Sequence, residues 1–188
     1  MRLFAAVDPG EQVRAALTPW LDARAGMDGV RWTPPANLHA TLRFLGEQPA
    51  DAVPALAEAL RRAVADVAAG EVRCGAPDAF PDRRRPRVLI LPLTSDGLLE
   101  DLAARVVTAL DPWRPRAIDA AFRAHLTLGR VRRSAPADLA ARLATLPDPA
   151  PPPFRAAAVA LVQSMLGPEG ARYAVLERFP LADAESRM

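Results

Sequence analysis

The 188-residue chain contains no lysine: its 24 basic residues are all arginine, and 22 acidic residues leave a formal net charge of +2. Without lysine the chain cannot provide a P-loop lysine, a Schiff base or the lysine nucleophile of an ATP-dependent ligase. Abundant alanine and proline indicate that genomic base composition explains the missing lysine. Arginine suits bidentate contacts with phosphate, so an RNA partner stays open, although the small net charge gives it little support.

Cysteine and long apolar segments are also scarce. The single Cys74 excludes an internal disulfide and a zinc site built from cysteines, and we interpret it as a buried or half-buried structural residue. No apolar segment reaches the roughly 18 to 20 residues that cross a bilayer, and the N-terminal stretch turns acidic too early for a signal peptide. We therefore expect a cytoplasmic protein. The length and the 51% hydrophobic content predict one domain over residues 1–188.

The only two histidines of the chain both occur in the pattern His-x-Thr-Leu, inside apolar runs. His39 is followed by Thr41, and His125 is followed by Thr127. Side chains alternate between the two faces of a β-strand, so each strand presents an imidazole and a hydroxyl on one polar face. A single histidine in such a strand is more often a packed structural residue. The matched pair indicates a functional site.

The two motifs are separated by just under half of the chain. This spacing predicts two similar lobes related by a pseudo-twofold axis, with one His-x-Thr-Leu strand in each lobe and a cleft between them. Two imidazoles that face one substrate can take one proton and give another near neutral pH. Threonine hydroxyls can donate hydrogen bonds to phosphoryl oxygens on which charge develops. The residues alone do not say which histidine is the acid.

Strand and helix patterns alternate along the chain, and hairpin signals follow near its end. Residues 78–87 are predicted to be a basic, proline-rich loop, residues 148–153 an extended connector and residues 167–170 a turn. The order of elements predicts an α+β fold with mostly antiparallel sheets flanked by helices. The predicted strands span residues 2–7, 30–32, 38–45, 71–76, 88–93, 122–131, 154–166 and 172–179, and the predicted helices span residues 9–25, 51–69, 96–110 and 135–146.

Residues 2–8, 37–47 and 125–131 resemble the RNA 2′,3′-cyclic phosphodiesterases, also called 2′-5′ RNA ligases, of the two-histidine (2H) phosphoesterase superfamily. The resemblance spans nearly the whole chain. It implies a bilobal α+β fold with the active site in the central cleft. It also implies hydrolysis of a terminal 2′,3′-cyclic phosphate to a 2′-phosphomonoester, without a metal or other cofactor. By this resemblance His39 is the proton donor and His125 the proton acceptor.

Three further residues are candidates for binding the phosphate. Thr41 and Thr127 carry the hydroxyls of the two motifs. Arg130 is similar to a family residue, but on an ideal strand it lies on the face opposite His125. A bend at Gly129 would be needed to turn Arg130 to the phosphate.

Contacts with the rest of the nucleotide are predicted less directly. Arg43 shares strand parity with His39, although an arginine at a strand end is more often solvated. Phe4 or Phe44 could stack on a terminal base, as aromatic side chains do in single-stranded RNA complexes. A phenylalanine in an apolar strand is more often part of the core.

Three alternatives stay open. The reverse reaction, 2′-5′ ligation, would use the same site and is expected as a side activity. A non-catalytic module that binds RNA ends would leave a cyclic-ended oligonucleotide unchanged. A metal site on the two histidines lacks a neighbouring carboxylate or cysteine at zinc-ligand spacing. We predict a monomer whose partners are RNA with a 2′,3′-cyclic phosphate end or nucleoside 2′,3′-cyclic phosphates, with no membrane and no metal.

Overall fold

The computed structural model describes residues 1–113, 121–167 and 170–183. Strands and helices are interspersed along these ranges, with short 3₁₀ turns between some of them. In chain order the elements are β1 (Arg2–Val7), α1 (Gly10–Asp22), β2 (Val30–Trp32), β3 (Ala40–Glu47), α2 (Val53–Val64), β4 (Gly70–Cys74), β5 (Asp78–Phe80), β6 (Val88–Thr94), α3 (Leu98–Ala109), β7 (His125–Val131), α4 (Leu139–Ala144), β8 (Phe154–Ala156), β9 (Ala158–Gly167) and β10 (Gly170–Pro180).

The strands of the described ranges form one sheet in the order β10-β9-β1-β3-β7-β6-β4-β8. Beside this path, β2 pairs with β7 and β5 pairs with β6. All pairings between these strands, in the part of the chain that the structure describes, are antiparallel. The predicted α+β fold with mostly antiparallel strands is therefore confirmed.

The main hydrophobic core lies on one face of the sheet. There α2 and α3 pack against each other, α3 contacts β3, and α2 contacts β9 and β10. The alternation along β1 shows how the two faces differ: Leu3, Ala5 and Val7 belong to this core, whereas Phe4 and Ala6 belong to a small apolar cluster on the opposite face. Helices therefore cover one face, and the other face is left for the two motifs.

The two motif strands meet in the middle of the sheet, where Ala40 of β3 pairs with Leu126 of β7. The buried side chains of Leu38, Leu126 and Leu128 lie in the main core. Because side chains alternate between the two faces within each motif, this packing directs His39, Thr41, His125 and Thr127 to the opposite face. The division into two similar lobes stays a prediction.

Several predicted boundaries are wrong. The strand predicted over residues 154–166 is two strands, because β8 pairs with β4 and β9 pairs with β1 on the other side of the sheet. The three-residue strand β5 lies in the predicted loop 78–87 and forms through its pairing with β6, a tertiary contact that local composition hides. The helix predicted over residues 135–146 is limited to α4. The predicted turn at 167–170 includes residues 168–169, which lie outside the described residues.

Candidate active site

Both histidines are held by the same backbone contact. Nδ1 of His39 lies 2.7 Å from the carbonyl oxygen of Asn37, and Nδ1 of His125 lies 2.6 Å from the carbonyl oxygen of Arg123. A carbonyl oxygen can only accept a hydrogen bond, so Nδ1 carries the hydrogen in both rings. Nε2 is therefore the atom through which each imidazole gains or loses a proton.

The register between β3 and β7 brings the two motifs together. The middle residues of the two His-x-Thr triplets, Ala40 and Leu126, form an antiparallel pair. This pairing sets the histidine of each triplet opposite the threonine of the other. The two imidazoles are close enough that the charge of His125 lowers the pKa of His39. The structure thus places both His/Thr pairs at one site.

Both motif threonines are half-buried on the histidine face of their strands. Thr41 is paired with Ala6, which belongs to the small apolar cluster on that face, and Thr127 is paired with Ile90. Both threonines therefore share a face with the histidines. Contact between these hydroxyls and a phosphate stays a prediction.

A β-bulge in β7 places Arg130 on the histidine face. Ile90 of β6 lies opposite Thr127, while its neighbour Leu89 lies opposite Gly129, so β7 has one extra residue at this point. One extra residue reverses the alternation of faces beyond it. Arg130 is exposed, and its charge lowers the pKa of both histidines. A register shift next to Gly129 therefore has the effect that a bend at Gly129 was expected to have, and contact between Arg130 and a phosphate stays a prediction.

Register shifts in β3 change the expected positions of Arg43 and Phe44. Arg43 lies opposite Ala5, a residue of the main core, and it is not among the charges that act on either histidine. The prediction that Arg43 shares a face with His39 assumed uninterrupted alternation along β3. The register shift therefore does not support a contact between Arg43 and the phosphate. Phe44 lies opposite Phe4 and is 46% exposed, so its contact with a base stays a prediction.

Phe4 is only 2% exposed, and its ring centroid lies 4.7 Å from that of His39. So little accessible surface does not support the prediction that Phe4 stacks on a base. Its contact with the imidazole gives Phe4 a different role, which is to restrict the orientation of the His39 ring.

Two neighbours of His39 were not predicted from the sequence. The ring of Tyr173, on β10, lies 5.1 Å from the rings of both His39 and Phe4. The carboxylate of Asp8 raises the pKa of His39 and accepts hydrogen bonds from the Gly10 N–H at 2.8 Å and from Arg14 at 2.7 Å. Tyr173 is the single tyrosine of the chain, which was a usable signal.

The neighbours of His125 are of a different kind. The ring of Phe80, on β5, lies 4.9 Å from that of His125, and the guanidinium of Arg123 lies 4.4 Å from the Phe80 ring centroid. The charge of Arg123 lowers the pKa of His125. The sequence analysis missed Phe80 because it lies in the segment predicted as a loop.

Burial is the main cause that lowers the pKa of both His39 and His125 below the ordinary value, and the hydrogen bond to the backbone carbonyl opposes it in each case. Both imidazoles therefore favour the neutral form at neutral pH. A neutral imidazole can act as a base at once, whereas an acid needs a proton that a bound anion would stabilise.

A pocket of about 430 Å³, part of which is open to solvent, lies beside His39. Its lining combines apolar side chains, including Val162 and Tyr173, with the charged side chains of Asp8 and Arg178. The pocket lies on the side of β9 and β10, so it extends the site away from the second motif.

Among the described residues, no group of three or more histidine, cysteine, aspartate or glutamate side chains is arranged to hold a metal ion. Cys74 is half-buried, and burial together with the charge of Asp148 raises the pKa of its thiol to about 11. Its thiol is therefore neutral near pH 7 and is a poor nucleophile. None of the helices in the described ranges has the length and hydropathy needed to cross a bilayer.

Comparison with known proteins identifies the family of this site. Residues 10–167 match the family model described as the 2′-5′ RNA ligase superfamily. That range is most of the chain, so the protein belongs to this superfamily. The family resemblance given by the two histidine motifs is confirmed.

Two relatives and two solved structures illustrate the likeness. A protein of Archaeoglobus fulgidus named RNA 2′,3′-cyclic phosphodiesterase is 36% identical over 136 residues, covering 72% of this chain and 76% of the relative. A Thermus thermophilus protein of the same name is 36% identical over 206 aligned positions, covering 100% of this chain and 93% of the relative.

A crystal structure of a Thermus thermophilus protein superposes with a TM-score of 0.79 at 33% identity, covering 98% of this chain and 100% of that one. Escherichia coli LigT in complex with 3′-AMP gives a TM-score of 0.78 at 23% identity, with coverage of 97% and 98%. At that identity the likeness to LigT concerns the fold alone.

Proposed function

We propose that this protein hydrolyses the terminal 2′,3′-cyclic phosphate of RNA, or of a nucleoside 2′,3′-cyclic phosphate, to a 2′-phosphomonoester. The observation that carries the proposal is the matched pair of imidazoles, each with Nδ1 hydrogen-bonded to a backbone carbonyl and each opposite the threonine of the other motif. The two relatives named RNA 2′,3′-cyclic phosphodiesterase support the same reaction.

The reaction needs one base and one acid in line across phosphorus. Nε2 of His125 takes a proton from water, and the water oxygen bonds to phosphorus. The bond between phosphorus and the 3′ oxygen breaks, and Nε2 of His39 gives that oxygen its proton. The 2′ oxygen keeps the phosphate, and proton exchange with solvent restores both rings.

Charge that develops on the phosphoryl oxygens is stabilised from two directions. The hydroxyls of Thr41 and Thr127 donate hydrogen bonds, and the guanidinium of Arg130 supplies a positive charge on the same face. The charge of Arg130 also disfavours the protonated form of both histidines until the substrate anion binds. The negative charge of the bound phosphate then raises both pKa values, and His39, the ring beside Asp8, takes up a proton from solvent.

The charges around each ring support the assignment of roles. Asp8 favours the protonated form of His39, as a proton donor requires. Arg123 favours the neutral form of His125, as a proton acceptor requires. In the sequence, only the family resemblance indicated which histidine is the acid and which is the base.

Ligation is the reverse of the same chemistry, with a ribose hydroxyl in place of water, and we expect it only as a side activity because water is far more abundant. A module that only binds RNA ends would not need two neighbouring imidazoles whose Nδ1 atoms are both held by backbone carbonyls. We propose further that the protein acts as a monomer, in the cytoplasm, without a metal or cofactor.

The test is to incubate the purified protein with adenosine 2′,3′-cyclic phosphate and separate the products against authentic 2′-AMP and 3′-AMP. Fixed acid and base positions allow only one ring bond to break, so 2′-AMP should dominate, with or without EDTA. A dominant 3′-AMP product would mean that the bond to the 2′ oxygen breaks, which contradicts the proposed reaction. Unchanged substrate after long incubation would support the binding module instead.

A further inference from the structure

Two arginines of like charge lie directly opposite each other at the edge of the proposed site. Arg31 of β2 is paired with Arg130 of β7 in the antiparallel register, and both are exposed. Paired residues on neighbouring strands project from the same face, roughly 5 Å apart at Cα. Like charges in this position are destabilising. The pair therefore has a cost that the fold alone does not explain.

No carboxylate of the described residues offsets this cost, because none forms an ion pair with Arg31 or with Arg130. Other arginines of the chain are neutralised in this way. Arg105, for example, lies 2.8 Å from Asp66 and 2.9 Å from Asp101. Two adjacent guanidinium groups without carboxylate partners are an arrangement suited to phosphate groups.

The two guanidinium groups differ in distance from the reacting centre. The charge of Arg130 acts on both histidines, whereas that of Arg31 is not among the charges that act on either. β2 pairs with residues 129–131 of β7, beyond the Ala40–Leu126 pair of the two motif strands, so Arg31 lies beside Arg130 at the end of β7 away from His125. If Arg130 contacts the cyclic phosphate, Arg31 is placed to contact a second phosphate of the same RNA molecule.

We propose that Arg31 binds the phosphate on the 5′ oxygen of the terminal nucleotide, which in RNA is the phosphodiester to the preceding nucleotide. This inference rests on the proposed function. It makes Arg31 a specificity residue that favours RNA ends over nucleoside 2′,3′-cyclic phosphates, because a free nucleoside lacks this phosphate. The contact adds binding in the ground state and the transition state alike, so it lowers KM and leaves kcat unchanged.

The test compares adenosine 2′,3′-cyclic phosphate with its 5′-phosphorylated form, which differ only in the phosphate assigned to Arg31. The wild-type protein should prefer the 5′-phosphorylated substrate by about tenfold in kcat/KM, the effect of one charge-assisted hydrogen bond. R31A should abolish that preference through KM, and R31K should keep part of it as a point charge. R62A, which removes an exposed arginine charge from α2, should keep the full preference.

A preference that persists in R31A, or an equal loss of kcat/KM on both substrates, would overturn the proposal. Binding of the two products, adenosine 2′,5′-bisphosphate and 2′-AMP, measured by calorimetry, separates this proposal from the proposed function. If neither substrate is hydrolysed, the proposed function fails, and the assignment of Arg31 still stands or falls on these affinities. R31A should bind both products equally, whereas wild type should bind the bisphosphate about tenfold more tightly.

Discussion

His39 lies among Phe4, Tyr173 and the carboxylate of Asp8, whereas His125 lies against Phe80, over which the guanidinium of Arg123 is stacked. The local motif is the same at both places, and so is the hydrogen bond from Nδ1 to a backbone carbonyl. The neighbours differ in charge: the carboxylate of Asp8, itself paired with Arg14 and Arg178, acts on His39, whereas the guanidinium of Arg123 acts on His125. A repeated motif can thus acquire two chemical roles from residues outside it.

The largest effect should come from removing either histidine. We expect H39A and H125A each to lower kcat on adenosine 2′,3′-cyclic phosphate by about 10² to 10⁴, because each removes one proton transfer. The double variant should be little slower than the slower single variant, since the two groups act as a unit. Steady-state kinetics checks this, with R62A as the control for general effects of substitution. A dispensable histidine would contradict the division into one acid and one base.

Replacing Arg130 should be the next largest change. R130Q removes a positive charge that lowers both histidine pKa values, so both should rise. Wild-type kcat/KM should follow a bell centred below pH 6.5, the ordinary histidine value, and R130Q should shift that bell to higher pH while lowering its maximum about a hundredfold. R130K should restore the position of the bell more than its height. If the pH dependence of kcat/KM is not shifted in R130Q, the charge of Arg130 does not act on the two histidines.

The threonine hydroxyls should contribute less. T41V and T127V keep the shape of the side chain and remove one hydrogen-bond donor each, so we expect kcat to fall about tenfold in each variant. T41S and T127S keep the hydroxyl and should stay near the wild-type rate. Unequal losses would sharpen the comparison by showing which oxygen gains more charge. Wild-type rates in both valine variants would mean that the hydroxyls do not contact the phosphate.

The smallest effects should come from replacing the charged residue beside each histidine, Asp8 or Arg123. D8N should lower the pKa of His39 more than that of His125, and R123Q should raise the pKa of His125 more than that of His39, because each charge acts directly on one ring. The chain has only two histidines, so NMR titration of the imidazole C2–H signals reads both values in one experiment. Equal shifts of both signals in either variant would show that the two environments are not electrostatically distinct.

Local patterns in the sequence were sufficient for the fold class and for the two histidines. Alternation within β3 and β7 identified the face shared by each histidine and its threonine. The position of Arg130 required a bulge, which depends on how β7 pairs with β6 and is not encoded in alternation. Tyr173 reaches His39 from β10, a strand more than a hundred residues away in the chain, and single-sequence periodicity carries no register between such distant strands.

The assignment of roles can be tested with a substrate that needs no acid. In adenosine 2′,3′-cyclic phosphate with sulfur in place of the bridging 3′ oxygen, the leaving thiolate departs without a proton because a thiol is far more acidic than an alcohol. H39A should therefore hydrolyse the sulfur substrate at close to the wild-type rate, while H125A should stay about 10² or more slower, since water still needs a base. Rescue of H125A instead of H39A would contradict the account, as would the absence of rescue in both.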